Sequence, residues 1–173
     1  GDARFVRTEG TAKGWTAFFD DQVVASLEVE LGAIYGWDDD IRINERFFLG
    51  GSTLRGFASQ GIGPRDVVTD DALGGNYSAV TRLEVSFPLG LPEELGIYGG
   101  FFVDAGTLFG LDGTLIGEDG IPIDDGPELR VGAGGLLFIE TPFGPLEMSF
   151  GLPIVKEDFD ESELFRLSIG TRF

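Results

Sequence analysis

The sequence predicts an all-β protein, an antiparallel transmembrane β-barrel of which it supplies about seven strands, half of a larger barrel with a long lumen-inserted loop. Three observations carry that expectation. Apolar and polar residues alternate with period two in seven successive segments. The segments run to about 9 to 13 residues, the length of a tilted strand crossing a bilayer and beyond the usual 5 to 6 of soluble sheets. The connections between them alternate short and long, as they do on the two sides of a membrane barrel.

The first segment, about Arg4 to Phe18, alternates weakly. The second is clear, with Val23, Ala25, Leu27, Val29, Leu31, Ala33 and Tyr35 on one face and Ser26, Glu28, Glu30 and Gly32 on the other. Tyr77, Ala79, Thr81, Leu83, Val85 and Phe87 then oppose Ser78, Arg82, Glu84 and Ser86, in a strand placed at Tyr77 to Leu89. Ile97, Phe101, Val103 and Ala105 oppose Gly100, Asp104 and Gly106. The rest are Leu129 to Ile139, Leu146 to Ile154, and Phe165, Leu167, Ile169, Thr171 and Phe173 against Arg166, Ser168, Gly170 and Arg172. In a membrane barrel the apolar face meets lipid and the polar face meets the lumen.

Aromatic residues gather near strand ends, among them Trp15, Phe18, Tyr35, Trp37, Tyr77, Phe87, Phe109, Phe143 and Phe165, as interfacial girdles require. Asp20-Asp21, Pro88 to Gly96 and Thr141 to Pro145 make short turns. Trp37 to Asn76 and Gly110 to Pro127 make long loops, and Lys156 to Glu163 a charged loop of middling length. Bacterial single-chain barrels usually have an even number of strands and a closed sheet leaves no unpaired edge, so with seven either one strand is missed or the chain is a piece of something larger, completed by the rest of the barrel or by another chain. The start at Gly1-Asp2-Ala3-Arg4, with strand-like residues almost at once, leaves any leader or N-terminal domain outside this sequence. All of residues 1–173 are assigned to one barrel unit, with 37–76 as its long surface loop.

Composition removes several functions. Glycine is abundant, 28 of 173 residues, which argues against long helices. There is no cysteine and no histidine, so thiolate metal sites, disulfides and Ser-His hydrolase chemistry are excluded. The formal charge is −18, from 30 acidic and 12 basic residues, and a nucleic acid would be repelled. No stretch reaches the roughly 18 apolar residues of a membrane helix. Acidic runs such as Asp38-Asp39-Asp40 could bind Ca²⁺ or do acid–base work, but short acidic runs between strands are mostly solvated loops; no catalytic residue and no cofactor is assigned.

The segment Glu45-Arg46-Phe47-Phe48-Leu49-Gly50-Gly51-Ser52-Thr53-Leu54-Arg55-Gly56-Phe57 is too apolar for a solvated loop. One reading is a β-turn and hydrophobic plug whose glycines supply positive φ. The sharper reading tucks Arg55 inside the barrel, because Glu84 and Asp104 both fall in the lumen-facing register of later strands. A guanidinium is a planar fork of donors suited to carboxylates, so Arg55 with Glu84 and Asp104 would clasp the loop to the wall.

Leu54-Arg55-Gly56-Phe57 resembles the VRGF/Y motif that a surface loop of the BamA family, in the POTRA-barrel superfamily, inserts into the barrel lumen, with Leu in place of the usual Val. Phe48-Leu49-Gly50-Gly51, Gly61-Ile62-Gly63-Pro64-Arg65-Asp66 and Asp71-Ala72-Leu73-Gly74-Gly75-Asn76 are similar to the family's flanking segments, and the last of these favours the BamA branch over related translocation barrels. The likeness continues through Phe87-Pro88-Leu89-Gly90-Leu91-Pro92, Phe102-Val103-Asp104-Ala105-Gly106-Thr107, Thr141-Pro142-Phe143-Gly144-Pro145-Leu146 and the final Phe165 to Phe173.

The resemblance implies a function: assembly and insertion of β-barrel proteins into the bacterial outer membrane, with no enzyme activity. It implies as partners outer-membrane lipid, unfolded outer-membrane proteins and accessory lipoproteins. Phe165, Leu167, Ile169 and Phe173 resemble the terminal β-signal of barrel precursors, recognised by strand addition. A glycine matching Gly170 lets the last strand of the family bend inward and loosen its seam. The plainer reading of these residues is an ordinary last strand containing a glycine. A related translocation barrel and a passive, cation-selective channel stand as alternative functions.

Overall fold

The computed structural model describes residues 4–37, 41–66, 68–113, 115–142 and 144–169. Seven long strands form one sheet: β1 (Phe5–Phe18), β2 (Val23–Gly36), β3 (Tyr77–Pro88), β4 (Ile97–Phe109), β5 (Arg130–Thr141), β6 (Gly144–Val155) and β7 (Phe165–Ile169). Each is antiparallel to its neighbours in sequence, and β1 does not pair with β7, so the sheet is open, half of a larger barrel. None of the helices among the described residues is long and apolar enough to cross a membrane.

The register follows the side-chain alternation. Leu27 lies opposite Leu83 and Glu28 opposite Arg82, while Leu83 faces Val103 and Arg82 faces Asp104. Period two then puts Leu27, Leu83 and Val103 on one face of the sheet and Glu28, Arg82 and Asp104 on the other. Phe101 and Phe102 are adjacent in sequence, yet Phe101 is 64 % exposed and Phe102 2 %. Exposed Leu27, Leu31, Tyr35, Leu83, Val103, Leu152 and Ile154 share the side of Phe101. A water-soluble sheet cannot leave such an apolar face bare; this is the lipid-facing side of a membrane wall.

The opposite face is not purely polar, which the alternating pattern alone did not convey. Ile34, Val80 and Leu108 are buried there against Ile41, Phe47, Leu49, Leu54, Phe57 and Ile62 from the long connection between β2 and β3. Phe102, Leu136 and Phe138 make a second apolar cluster. The connection covers the first cluster, and Tyr98 of β4 packs against the second.

Strand limits differ from the sequence expectation by one or two residues at several ends: β1 begins at Phe5 rather than Arg4, β2 ends at Gly36 rather than Tyr35, β3 ends at Pro88 rather than Leu89, β5 runs Arg130–Thr141 rather than Leu129 to Ile139, and β6 runs Gly144–Val155 rather than Leu146 to Ile154. The β1–β2 turn is tight, with Phe19, Asp20 and Asp21 all at positive φ and the Gln22 amide donating to the Phe19 carbonyl at 3.2 Å. Asp38-Asp39-Asp40, Phe143, Gly170 and Phe173 lie outside the described residues.

Candidate functional site

Residues 50–57 form a closed turn on the inner face. Gly50, Gly51 and Gly56 have φ of +122°, +64° and +96°, the conformations that favour glycine. The Gly51 amide donates to the Phe57 carbonyl at 2.9 Å, and the Thr53 hydroxyl donates to the Gly50 carbonyl at 2.9 Å. The turn is therefore fixed internally, and it presents Leu54 and Phe57, both fully buried, to the wall.

Arg55 points from this turn into a pair of carboxylates. Its Nε and Nη2 donate to Asp104 Oδ2 and Oδ1 at 2.8 and 2.9 Å, and its Nη1 donates to Glu84 Oε2 at 3.0 Å. The Arg55 backbone amide also donates to Asp104 Oδ2, at 3.0 Å. Glu147 on β6 adds a carboxylate 3.7 Å from Nη1, and the Phe102 ring lies 4.0 Å from the guanidinium carbon. Burial pushes the Arg55 ionisation down, but hydrogen bonds and charge from Asp104 and Glu84 outweigh it and raise it above the ordinary arginine value. The cation stays charged at any physiological pH.

Asp104 has no exposed surface, and both its oxygens accept from Arg55. Such a bidentate pair offsets the lost hydration of two buried charges only while both partners are present. Close approach of the loop is permitted by glycines in the wall. A Cβ on Gly132 would overlap the Arg55 carbonyl oxygen, and one on Gly151 would come within 2.8 Å of the Gly56 amide nitrogen.

Other contacts were not legible in the sequence. Ser162–Glu163, in the charged connection before β7, pairs with Gly56–Phe57, and the Ala58 amide donates to the Glu161 carbonyl at 2.9 Å. Arg166 of β7 donates to Ser59 at 3.1 Å and to Glu163. Arg130 and Asp160, both buried, are joined at 3.0 and 3.3 Å. Arg82 of β3 binds Glu28, Glu30 and the Thr53 carbonyl. Their one sequence signal is that Arg82, Arg130 and Arg166 stand on the inward register.

Phe165, Leu167 and Ile169 of β7 all face outward and are exposed, with the Phe165 ring tilted at 44° to that of Phe150 at a centroid distance of 5.0 Å. The opposite edge of β7 carries no partner strand among the described residues. No group of three or more carboxylates among the described residues is arranged to hold a metal ion.

An open antiparallel wall, apolar outside and charged inside, with a loop clasped to its inner face, defines an outer-membrane β-barrel of the plugged kind. Residues 1–173 match the model of the Omp85 superfamily domain, and the chain belongs to that family. It is similar to outer membrane protein assembly factor BamA of Neorickettsia risticii, at 37 % identity over all of this chain and 23 % of that protein. It also resembles a SAM50-like protein of Schizosaccharomyces pombe, at 32 % identity over 92 % of this chain and 34 % of that one. Among solved structures, BamA from Haemophilus ducreyi lacking POTRA domains 1–3 superposes with a TM-score of 0.79 at 23 % identity, over 96 % of this chain and 35 % of that one. The chain spans between 16 % and 34 % of the length of these and other curated relatives it matches, and its family places it in the bacterial outer membrane.

Proposed function

We propose that the protein containing this chain assembles β-barrel proteins into the bacterial outer membrane, and that residues 1–173 supply the C-terminal half of its barrel domain, with 37–76 as a surface loop folded into the lumen. The observation that carries the reading is the clasp of Arg55 to Asp104 and Glu84, which holds a loop against the wall. Assembly relatives at up to 37 % identity support it. In this reading the unpaired edge of β7 forms one side of a lateral seam, where a strand of an unfolded outer-membrane protein adds by backbone pairing. Free energy comes from satisfying backbone hydrogen bonds in lipid and burying apolar strand faces, with no cofactor or covalent step. Accessory lipoproteins, outer-membrane lipid and the remaining strands of the barrel are the further partners. Phe165, Leu167, Ile169, Gly170 and Phe173 act as the terminal signal and bending strand, and Leu54-Arg55-Gly56-Phe57 as the loop motif.

A passive channel fits less well, because a pore gains nothing from a lumen loop anchored by buried ion pairs. The test is replacement of the host's own assembly factor by the full-length protein, with folded outer-membrane proteins quantified by heat-modifiable gel mobility. Restored assembly is expected. Secretion of a soluble polypeptide without restored assembly would favour a translocation barrel, and ion conductance alone would favour a channel.

A further inference from the structure

We infer that Arg82 is a second positioning residue for the inner loop, acting beside the Arg55 clasp and tying the loop to β2. Arg82 Nη1 donates to the Thr53 carbonyl at 3.1 Å, two residues before Arg55. Its Nη2 is held by β2, at 2.8 Å from Glu28 Oε1 and 2.6 Å from Glu30 Oε1, and Nη1 also donates to Glu30 Oε2 at 3.4 Å. Lys13 of β1 extends the ladder, 3.3 Å from Glu28.

The placement is electrostatically matched. Arg82 and Asp104 are register partners on β3 and β4, and both are turned toward the same three residues of the loop. The cation meets a carbonyl, at Thr53, and the anion meets an amide, at Arg55. Asp104 accepts from Arg55 through both oxygens, which leaves Glu28 and Glu30 to fix the Arg82 fork. A guanidinium suits this because its rigid, planar donors can serve a carbonyl and two carboxylates together; an ammonium cannot hold that geometry. The loop is thereby registered between β2 and β4, and neither anchor alone sets its position along the wall.

Trypsin reads this directly, because Arg55 is itself a cleavage site that docking conceals. In the folded full-length protein, cleavage after Arg55 reports the fraction of time the loop is released. Arg82→Ala is expected to raise the rate of that cut by about tenfold to a hundredfold, the loss of one charge-assisted hydrogen bond. Arg82→Lys is expected to give an intermediate rate.

If the role of Arg82 were only to neutralise Glu28 and Glu30, the triple variant Arg82→Ala, Glu28→Gln, Glu30→Gln would recover protection; continued rapid cutting is expected instead. Protection equal to the unaltered protein in Arg82→Ala, or in Arg82→Lys should the alanine variant not fold, overturns the inference, and so does full recovery in the triple variant. The inference rests on the docked loop of the proposed assembly barrel. Complementation tests assembly and trypsin tests Arg82, so the two fail separately.

Discussion

Gly132 of β5 passes beneath the carbonyl of Arg55 so closely that no Cβ can be accommodated between them. The wall glycine is therefore part of the loop's seat. Gly132→Ala should push the 55–57 backbone off β5, at a cost of about 1–3 kcal/mol from overpacking. Gly135→Ala, three residues along the same strand, is the control, because a Cβ there meets its nearest atom at 3.9 Å. Faster trypsin cleavage at Arg55 in the first variant and unchanged cleavage in the second is the expected pair of results. Equal rates would show that β5 does not support the loop.

Arg55 and Asp104 form the most deeply buried part of the clasp, and the two partners should not be equivalent to their conservative replacements. Arg55→Ala leaves Asp104 and Glu84 without their cation and is expected to cost roughly 3–5 kcal/mol of loop docking, less where water fills the lumen. Arg55→Lys should restore little, since one ammonium cannot reproduce two parallel bonds to Asp104 together with a third to Glu84. In the full-length protein Arg55→Ala should lose assembly activity while its strands still form, as checked by complementation and heat-modifiable mobility. Full activity with an unchanged fold would make the loop dispensable.

The wall was legible in the sequence and most of the loop's anchoring was not. Alternation reports the direction of each side chain on a pleated strand, so the outward faces of Leu27, Leu83 and Phe101 and the inward faces of Glu28, Arg82 and Asp104 follow from local spacing alone. The same inward register made Glu84 and Asp104 candidates for Arg55. Inward Ile34, Val80 and Leu108 instead depend on which segment folds over them, information carried by Phe47, Leu54 and Phe57 dozens of residues away. Ser162–Glu163 has no periodic signature in two residues, and Asp160 lies in a charged run that looks solvated although it is buried against Arg130.

Arg130 and Asp160 should behave as a second buried pair, holding the connection before β7. Asp160 also accepts the Glu157 amide at 2.7 Å, so its loss unfastens the turn as well as the ion pair. Asp160→Ala is expected to cost up to roughly 3–5 kcal/mol locally, because the buried Arg130 loses its nearest carboxylate and keeps only that of Glu128, 3.8 Å away. Arg130→Met with Asp160→Leu should cost less than Asp160→Ala alone, since no charge remains to be desolvated. Amide exchange across residues 156–163 measures the difference; a double variant that exchanges faster than the single one would count against a charge-pair origin.

Asp66 gives the outer loops a pH dependence of defined sign. Its carboxylate accepts the Val68 and Glu118 amides at 3.0 Å each and the Thr69 amide at 3.4 Å, joining two separate connections. These bonds, the one from Val68 foremost, favour the charged form and lower the Asp66 ionisation below its ordinary value. A lowered acid stabilises the folded loop above its unfolded value, near 3.9, and loses that contribution as pH falls through the folded value. Acidification from about pH 5 toward pH 2 should therefore loosen Asp66 from the Val68, Thr69 and Glu118 amides, whereas neutral to mildly acidic solution should leave them joined. Nuclear magnetic resonance of the Val68 and Glu118 amides in the detergent-solubilised full-length protein checks this, with both resonances expected to shift together at one midpoint below the usual aspartate value. Asp66→Asn should abolish that shared midpoint while leaving the Arg55 clasp protected from trypsin. If the two amides titrate apart, or still shift together in Asp66→Asn, another group controls the contact.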